Sequence, residues 1–282
     1  MEHFDILIIG GGAAGIAAAK ECSGARVLLA DRKKALGGVL LQCTHRGFGE
    51  DRTGVEYIGE LTGDFPEDVE LALNTTVLSV SGNKTALLSG EEFGRREVSF
   101  SQLILATGCR EIPAGALPIG GNRPRGVYTA GQMQELMNLH GYVPEGPAVI
   151  LGSGDLGLIM AGQLAQTGLN VTIVEQKNSC GGIPRNRRCL QEYPIRLICG
   201  DTVAGIEGNP WITGCTTAKG EHLPCKCLLI AVGLRPEQSL IAHLGRPEWL
   251  HICGNCSTVH SMVESVEEEG QLAGKAAFEK VR

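Results

Sequence analysis

Aromatic residues make up only 4% of the 282-residue chain, and no hydrophobic run reaches the roughly 18 residues that a membrane-crossing helix needs. A helical integral membrane protein is therefore excluded. No dense block of lysine and arginine is present either: the net charge is −6, and Arg185, Arg187 and Arg188 form the main basic cluster. That argues against nucleic acid or an anionic membrane as the principal partner. The N-terminus runs straight into an apolar segment without a basic leader or a cleavage site, so the chain reads as a cytoplasmic protein. Eleven cysteines are an odd number, and a chain of this length needs no disulfide staples, so reduced thiols are expected, with Cys22, Cys199 and Cys215 as packing residues. The forty glycines follow no collagen-like or low-complexity period and are assigned to turns and close backbone approaches. The apolar fraction, 43%, is enough for the cores of two modest domains.

The chain is organised around Asp5–Asp31. Ile6 to Ile9 is a continuous apolar run, as expected of a parallel strand buried on both faces, and Gly10, Gly12 and Gly15 then satisfy G-x-G-x-x-G. An alanine-rich helix follows, then the apolar run Val27 to Ala30, and Asp31 stands about twenty residues past the glycines, where a carboxylate accepts hydrogen bonds from ribose hydroxyls. The same unit recurs at Ala148–Glu175, with Gly152, Gly154 and Gly157 in the turn and Glu175 at the end of its second strand. Two fingerprints imply two dinucleotides.

Between and after them, Gly37-Gly38 suggests backbone lying close to a ligand. Leu71–Val80 and Thr85–Leu88 read as strands joined by a turn at Ser81-Gly82-Asn83, with Val98–Phe100 beside them and Gln102–Gly108 as a short buried strand. Proline and glycine from Pro113 onward mark a crossing between domains, Thr129–Leu139 reads as a helix, and Leu228–Gly233 repeats the earlier Ile-Leu-Ala-Thr-Gly strand. The tail holds a glycine turn, Cys253-Gly254-Asn255-Cys256, and a helix from about Thr258 whose Glu264, Glu267, Glu268 and Glu269 read as a solvated face. The fold class is α/β: two Rossmann-like dinucleotide-binding domains, the second inserted in the first, with no third, dimerisation domain.

The two fingerprints, the Ala-Thr-Gly strand and the returning glycine turn resemble the pyridine nucleotide-disulfide oxidoreductase superfamily. The segments LQCTHRGFG, ATGCREIP, GNRPRGVYTAGQMQ, LGSGDLGLIMA, SCGGIPRN and CGN followed by VHSMV are most similar to one branch of it. That branch comprises flavoprotein subunits associated with anaerobic glycerol-3-phosphate dehydrogenase-like, opine oxidase and hydrogen cyanide synthase systems. The resemblance implies an FAD-binding domain over 1–111 and 245–282 and an NAD(H)-binding domain over 112–244. It implies FAD contacts at Gly10, Gly12, Ala13, Ala14, Gly15, Asp31, Arg32, Gly38, Ala106, Thr107, Gly108, Gly254, Asn255 and His260. Asn255 stands where the family has an aspartate. NAD contacts are implied at Gly152, Gly154, Asp155, Leu156, Gly157, Glu175 and Gly233. Glu175 favours NADH, since a carboxylate repels a 2′-phosphate, while Lys177 and the arginine cluster pull the other way.

The function this implies is an FAD-dependent NAD(P)H oxidoreductase, an electron-transfer subunit that moves a hydride between NAD(H) and FAD and serves a partner FAD subunit oxidising glycerol 3-phosphate, an amino acid or a 2-hydroxy acid. Cys43 and His45 fall where the family places residues near the flavin ring and are the candidates for a chemical role. Two alternatives remain open. Cys253 and Cys256 have redox-motif spacing and would serve a self-contained NADH-dependent disulfide reductase. A non-catalytic, regulatory nucleotide-binding subunit is suggested by a stretch that looks trimmed between Pro236 and Leu250. No metal site is expected, because the Cys225-x-Cys227 spacing is an unusual zinc half-site.

Overall fold

The computed structural model describes residues 1–282. Two compact units divide the chain: Met1–Arg110 with Arg235–Arg282, and Glu111–Leu234. The chain returns to the first unit at Arg235, earlier than the boundary at 245 expected from sequence. The reason is packing: Ile241 is buried with Leu240 and Leu244 against the cluster that contains Phe4 and Phe100.

The first unit is built on a seven-stranded sheet. Its central strand, Glu2–Ile9, pairs in parallel with Val27–Ala30 on one side and with Gly94–Leu105 on the other. Side chains alternate across it. Leu7 and Ile9 join one core cluster with Phe4 and Leu103, while Ile6 and Ile8 join a second with Ala14, Ala18, Ala273 and Ala277 of two covering helices. Residues covered on both faces leave no polar position to spare, which accounts for the unbroken apolar run Ile6 to Ile9 in the second half of the strand. Val69–Ala72 continues the parallel part beside Val27–Ala30, and Thr75–Ser81 and Thr85–Gly90 form an antiparallel hairpin that joins the sheet along Gly94–Leu105.

Three sequence expectations need correction here. Leu71–Val80 is two strands with different partners, cut at Asn74, whose φ of 47° lies in the left-handed region that asparagine tolerates. Val98–Phe100 and Gln102–Gly108 are one strand, Gly94–Leu105, ending at Leu105. The last helix is Val263–Glu279, not from Thr258, because the Asn255 Oδ1 accepts the His260 backbone N–H at 2.9 Å and holds the intervening residues out of the helix.

The second unit has a five-stranded parallel sheet in the order Val127–Thr129, Cys227–Ile230, Ala148–Leu151, Val171–Glu175, Arg196–Cys199. Helix Asp155–Gln166 crosses between two of these strands and buries Leu158, Met160, Ala161 and Leu164. A second sheet made from Val203–Gly208, Ile212–Thr217 and His222–Pro224, with Gly120–Gly121 at its edge, packs Ile206, Ile212 and Cys215 against Val149 and Leu228. Helix Ala130–His140 is capped by the Thr129 side chain and stopped by Gly141 in the left-handed region, close to its expected span.

In the first unit, helix Ala13–Lys20 lies against Val263–Glu279 through small residues. A Cβ on Gly270 would stand 2.3 Å from the Ala14 carbonyl oxygen, and one on Gly274 would stand 2.5 Å from that of Ala18. Gly59, inside helix Gly54–Leu61, has open space at the same position. The same one-carbon change is therefore expected to act with opposite signs. Gly270→Ala should lower the urea unfolding free energy by about 2–3 kcal/mol by forcing two backbones apart, and Gly59→Ala should raise it by about 0.5–1 kcal/mol through helix propensity. Equal effects of the two would refute the packing argument.

Candidate functional site

Each unit carries a glycine turn at the C-terminal end of its central strand, and the two turns are built alike. In the first, Gly10 has φ of +110°, and a Cβ there would lie 2.3 Å from the Ala106 carbonyl oxygen. A Cβ on Gly15 would lie 1.8 Å from the Gly10 carbonyl oxygen. These two glycines are consumed by the fold. Gly12 differs, with nothing within 4 Å of its would-be Cβ, so the space above it is open to a ligand beside the N-terminus of helix Ala13–Lys20. Asp31 fixes the turn: its Oδ2 accepts the Gly11 N–H at 2.6 Å and its Oδ1 accepts the Lys33 N–H at 2.7 Å. Each oxygen keeps a further acceptor position, which ribose hydroxyls can fill. Gly37 donates its N–H to the Gly11 carbonyl at 2.7 Å, and the Cβ position of Gly38 is 3.1 Å from the Gly12 Cα, so the Gly37-Gly38 backbone borders the turn. Arg32 is solvent exposed.

The returning turn closes this site. Cys253 donates its N–H to Leu105 at 3.1 Å, and Gly254, at φ +66°, has its Cβ position 2.8 Å from the Ala14 Cβ. The Gly254 N–H donates to Glu269 Oε2 at 2.7 Å, and Glu269 Oε1 meets His260 Nε2 at 2.8 Å. The structure thus commits the His260 Nε2 to Glu269. It also corrects the reading of the acidic face as solvated: Glu269 braces the turn, Glu264 accepts the Gly49 N–H at 3.1 Å, and Glu267 is hydrogen bonded to Tyr57. Thr107 donates its hydroxyl to the Glu237 carbonyl at 2.6 Å, and Thr107 and Gly108 both hydrogen bond with Cys256.

The candidate reactive residues fare less well. Cys43 is buried, its thiol donates to the Val39 carbonyl at 3.3 Å, and burial pushes its pKa up to about 12, so it is a neutral thiol at physiological pH. His45 packs its ring 5.2 Å from that of Phe48. Cys253 and Cys256 are 1% and 0% exposed, burial raises both thiols, and both sulfurs face the Leu105 carbonyl oxygen, at 3.8 and 3.1 Å. A disulfide substrate has no access to them. The redox-pair reading is overturned by burial: the spacing that resembles a reactive motif is the spacing of a turn packed against a strand end.

In the second unit, Gly152 has φ of +105° with its Cβ position 2.4 Å from the Ala231 carbonyl oxygen, and that of Gly157 is 2.3 Å from the Gly152 carbonyl oxygen. Gly154 has nothing within 4 Å. Glu175 repeats the part of Asp31. Its Oε2 accepts from the Ser153 N–H at 2.8 Å and the Ser153 hydroxyl at 2.6 Å, and its Oε1 accepts the Lys177 N–H at 2.8 Å. Burial alone would raise the Glu175 pKa, but the hydrogen bonds from Ser153 and Lys177 and the charge of Lys177 outweigh it and hold the group below the ordinary carboxylate value. Asp155 and Leu156 open the following helix, half-buried, and Gly233 has φ of +137° after the strand Cys227–Ile230. Sequence reasoning missed Gly11, Ser153 and Glu269. The first two occupy variable positions inside the fingerprint, where only the backbone or a hydroxyl matters, and Glu269 was hidden among neighbouring glutamates.

Both turns are closed on the protein side and open at the middle glycine, with a carboxylate set back to receive a ribose. That cradle fits an adenine dinucleotide. The pattern of the pyridine nucleotide-disulphide oxidoreductase family matches residues 4–248. The chain belongs to this family. Its members use FAD and NAD(P)H, and the mixed α/β fold is that of FAD- and NAD-binding oxidoreductases. Among curated relatives, the hydrogen cyanide synthase subunit HcnB of Pseudomonas protegens is 32% identical over 207 residues, covering 69% of this chain and 43% of its own. An opine oxidase subunit of Agrobacterium tumefaciens is 33% identical over 223 residues, covering 73% and 42%. The chain thus spans less than half the length of these relatives. Thioredoxin reductase of Lactococcus lactis superposes with a TM-score of 0.76 over 99% of both chains at 20% identity, a likeness of fold. No helix is long and apolar enough to cross a membrane.

The burial of Cys43, Cys253 and Cys256 predicts their chemistry. Alkylation of the folded protein by iodoacetamide should leave these three unmodified throughout pH 7–9, below the raised value of about 12 for Cys43, whereas unfolding in guanidinium should make all three react as ordinary thiols of pKa about 8.5. Peptide mass mapping reads the result, and rapid labelling of Cys253 or Cys256 in the folded protein would contradict the buried assignment.

Proposed function

We propose that the chain is an electron-transfer flavoprotein subunit that moves a hydride between NAD(H) and FAD and exchanges electrons with a substrate-oxidising partner subunit. FAD is assigned to the unit made of Met1–Arg110 and Arg235–Arg282, and NAD(H) to Glu111–Leu234. One observation carries the reading: the whole brace of turn, carboxylate and lysine amide is present twice, as Gly11, Asp31 and Lys33 and as Ser153, Glu175 and Lys177. A protein with a single nucleotide needs it once. The first unit takes FAD because only there does a further turn, Gly254-Asn255, close against the helix that follows the glycines.

When bound, FAD supplies both two-electron exchange with a nicotinamide and one-electron exchange with other carriers. The residues of this chain bind and orient. Gly12 and Gly154 leave room for the two pyrophosphates, and Asp31 and Glu175 receive the adenosine riboses. Asn255 offers a neutral amide where the family has an acid, so it can donate as well as accept. Glu175, held ionised and mostly buried, disfavours a 2′-phosphate, so NADH is the expected nucleotide. With Cys43 neutral and Cys253 and Cys256 sealed, none of these three thiols takes part.

The partner is inferred from the subunit names of the relatives, hydrogen cyanide synthase and opine oxidase; the substrate class we propose for it, an amino acid, a 2-hydroxy acid or glycerol 3-phosphate, rests on the family resemblance of the sequence. Eleven reduced cysteines suit the cytoplasm. Anaerobic addition of NADH to the purified flavoprotein should bleach the flavin band at about 450 nm, and NADPH should do so less effectively. A protein that retains FAD yet shows no bleaching with either nucleotide would support a non-catalytic role and overturn the proposal.

A further inference from the structure

The two nucleotide turns share a feature beyond the fingerprint. Six residues after each anchoring carboxylate stands a pair of glycines, Gly37-Gly38 after Asp31 and Gly181-Gly182 after Glu175, and each pair folds back onto its own turn. Gly37 does so through the Gly11 carbonyl. Gly181 donates its N–H to the Ser153 hydroxyl at 2.7 Å, and its Cβ position lies 2.9 Å from the Ser153 carbonyl oxygen. The units then diverge. In the first, the helix after the turn begins with Ala13, and the glycine pair leads into Val39 and Leu40. In the second, the helix begins with Asp155, which sets a negative charge at the helix N-terminus where a diphosphate must approach.

The loop after Gly181-Gly182 answers that charge. The Asp155 Oδ1 accepts the Ile183 N–H at 2.8 Å and an N–H of the Asn186 amide at 2.7 Å, which ties the carboxylate to the loop. Arg187 donates its Nε to the carbonyls of both Gly181 and Gly182, at 2.9 and 3.0 Å. Those glycines lie against Ser153 and Asp155, so the exposed Arg187 is fastened through Nε to the loop that borders the Gly154 turn.

We propose that Arg187 is a ligand for the diphosphate of the nicotinamide dinucleotide, supplying the positive charge that offsets Asp155. This rests on the assignment of NAD(H) to the second unit. A guanidinium fixed through Nε presents its two outer nitrogens as a fork, which suits phosphate oxygens.

The test compares three ligands on the full-length FAD-loaded protein: NADH, ADP-ribose and adenosine, the latter two by competition with NADH fluorescence. Arg187→Ala should weaken NADH and ADP-ribose about tenfold or more, the worth of one charge-assisted hydrogen bond, while adenosine affinity and FAD content stay unchanged. Arg187→Lys should recover part of the loss. The salt dependence of NADH affinity should also flatten in Arg187→Ala and not in the matched control Arg188→Ala. An equal loss for adenosine would mean that Arg187 only supports the loop, and unchanged affinity for ADP-ribose would mean that it touches no phosphate; either overturns the proposal. If the wild-type protein binds neither NADH nor ADP-ribose, the nucleotide assignment of the second unit fails instead.

Discussion

Backbone lies against backbone around the first nucleotide turn, at distances that a single methyl group would block. Gly15 passes the Gly10 carbonyl, Gly10 passes Ala106, and Gly270 and Gly274 let the last helix rest on Ala14 and Ala18. The last of these contacts matters most for function, because it brings a segment from the far end of the sequence to the start of it. With Gly270 in place, Gly254 reaches Ala14, and Glu269, one residue before Gly270, turns inward to hold the Gly254 N–H. At these positions glycine means close approach in place of side-chain packing.

The second unit repeats the constraint with fewer supports. Gly152, Gly157 and Ala231 reproduce the contacts of Gly10, Gly15 and Ala106. A serine hydroxyl adds a second hydrogen bond to the anchoring carboxylate, so Glu175 is more enclosed than Asp31 and keeps less acceptor capacity for a ribose. A tightly held cofactor and a nucleotide that comes and goes make different demands. The first site is closed by a returning turn and a helix, while the second is bordered by a loop carrying exposed charge, a difference that fits the proposed assignment of FAD to the first and NADH to the second.

Much of this is legible in the sequence, for a definite reason. Glycine spacing, the flanking apolar runs and the acid about twenty residues on report local geometry, and local geometry decides these turns. Strand ends are less legible, because Asn74 divides one apolar stretch between two partners and Gly94–Leu105 runs through polar residues with the sheet's support. The start of the last helix escapes periodicity because a side chain, Asn255, competes with the helix for the His260 amide. Thiol reactivity lies beyond spacing altogether. Cys253 and Cys256 fit a redox motif on paper, and only burial shows them to be part of the wall. Glu269 is unreadable for the opposite reason: nothing distinguishes it from Glu267 or Glu268 until the fold selects it.

One chain holding two different dinucleotides in two turns of the same design is the central claim. Native mass spectrometry of the purified chain tests it most directly. The expected result is one FAD per chain as isolated and one further NADH on addition of the nucleotide, with Gly154→Val removing the NADH and sparing the FAD. A second FAD in place of NADH, or loss of FAD from Gly154→Val in a chain that remains folded, would contradict it.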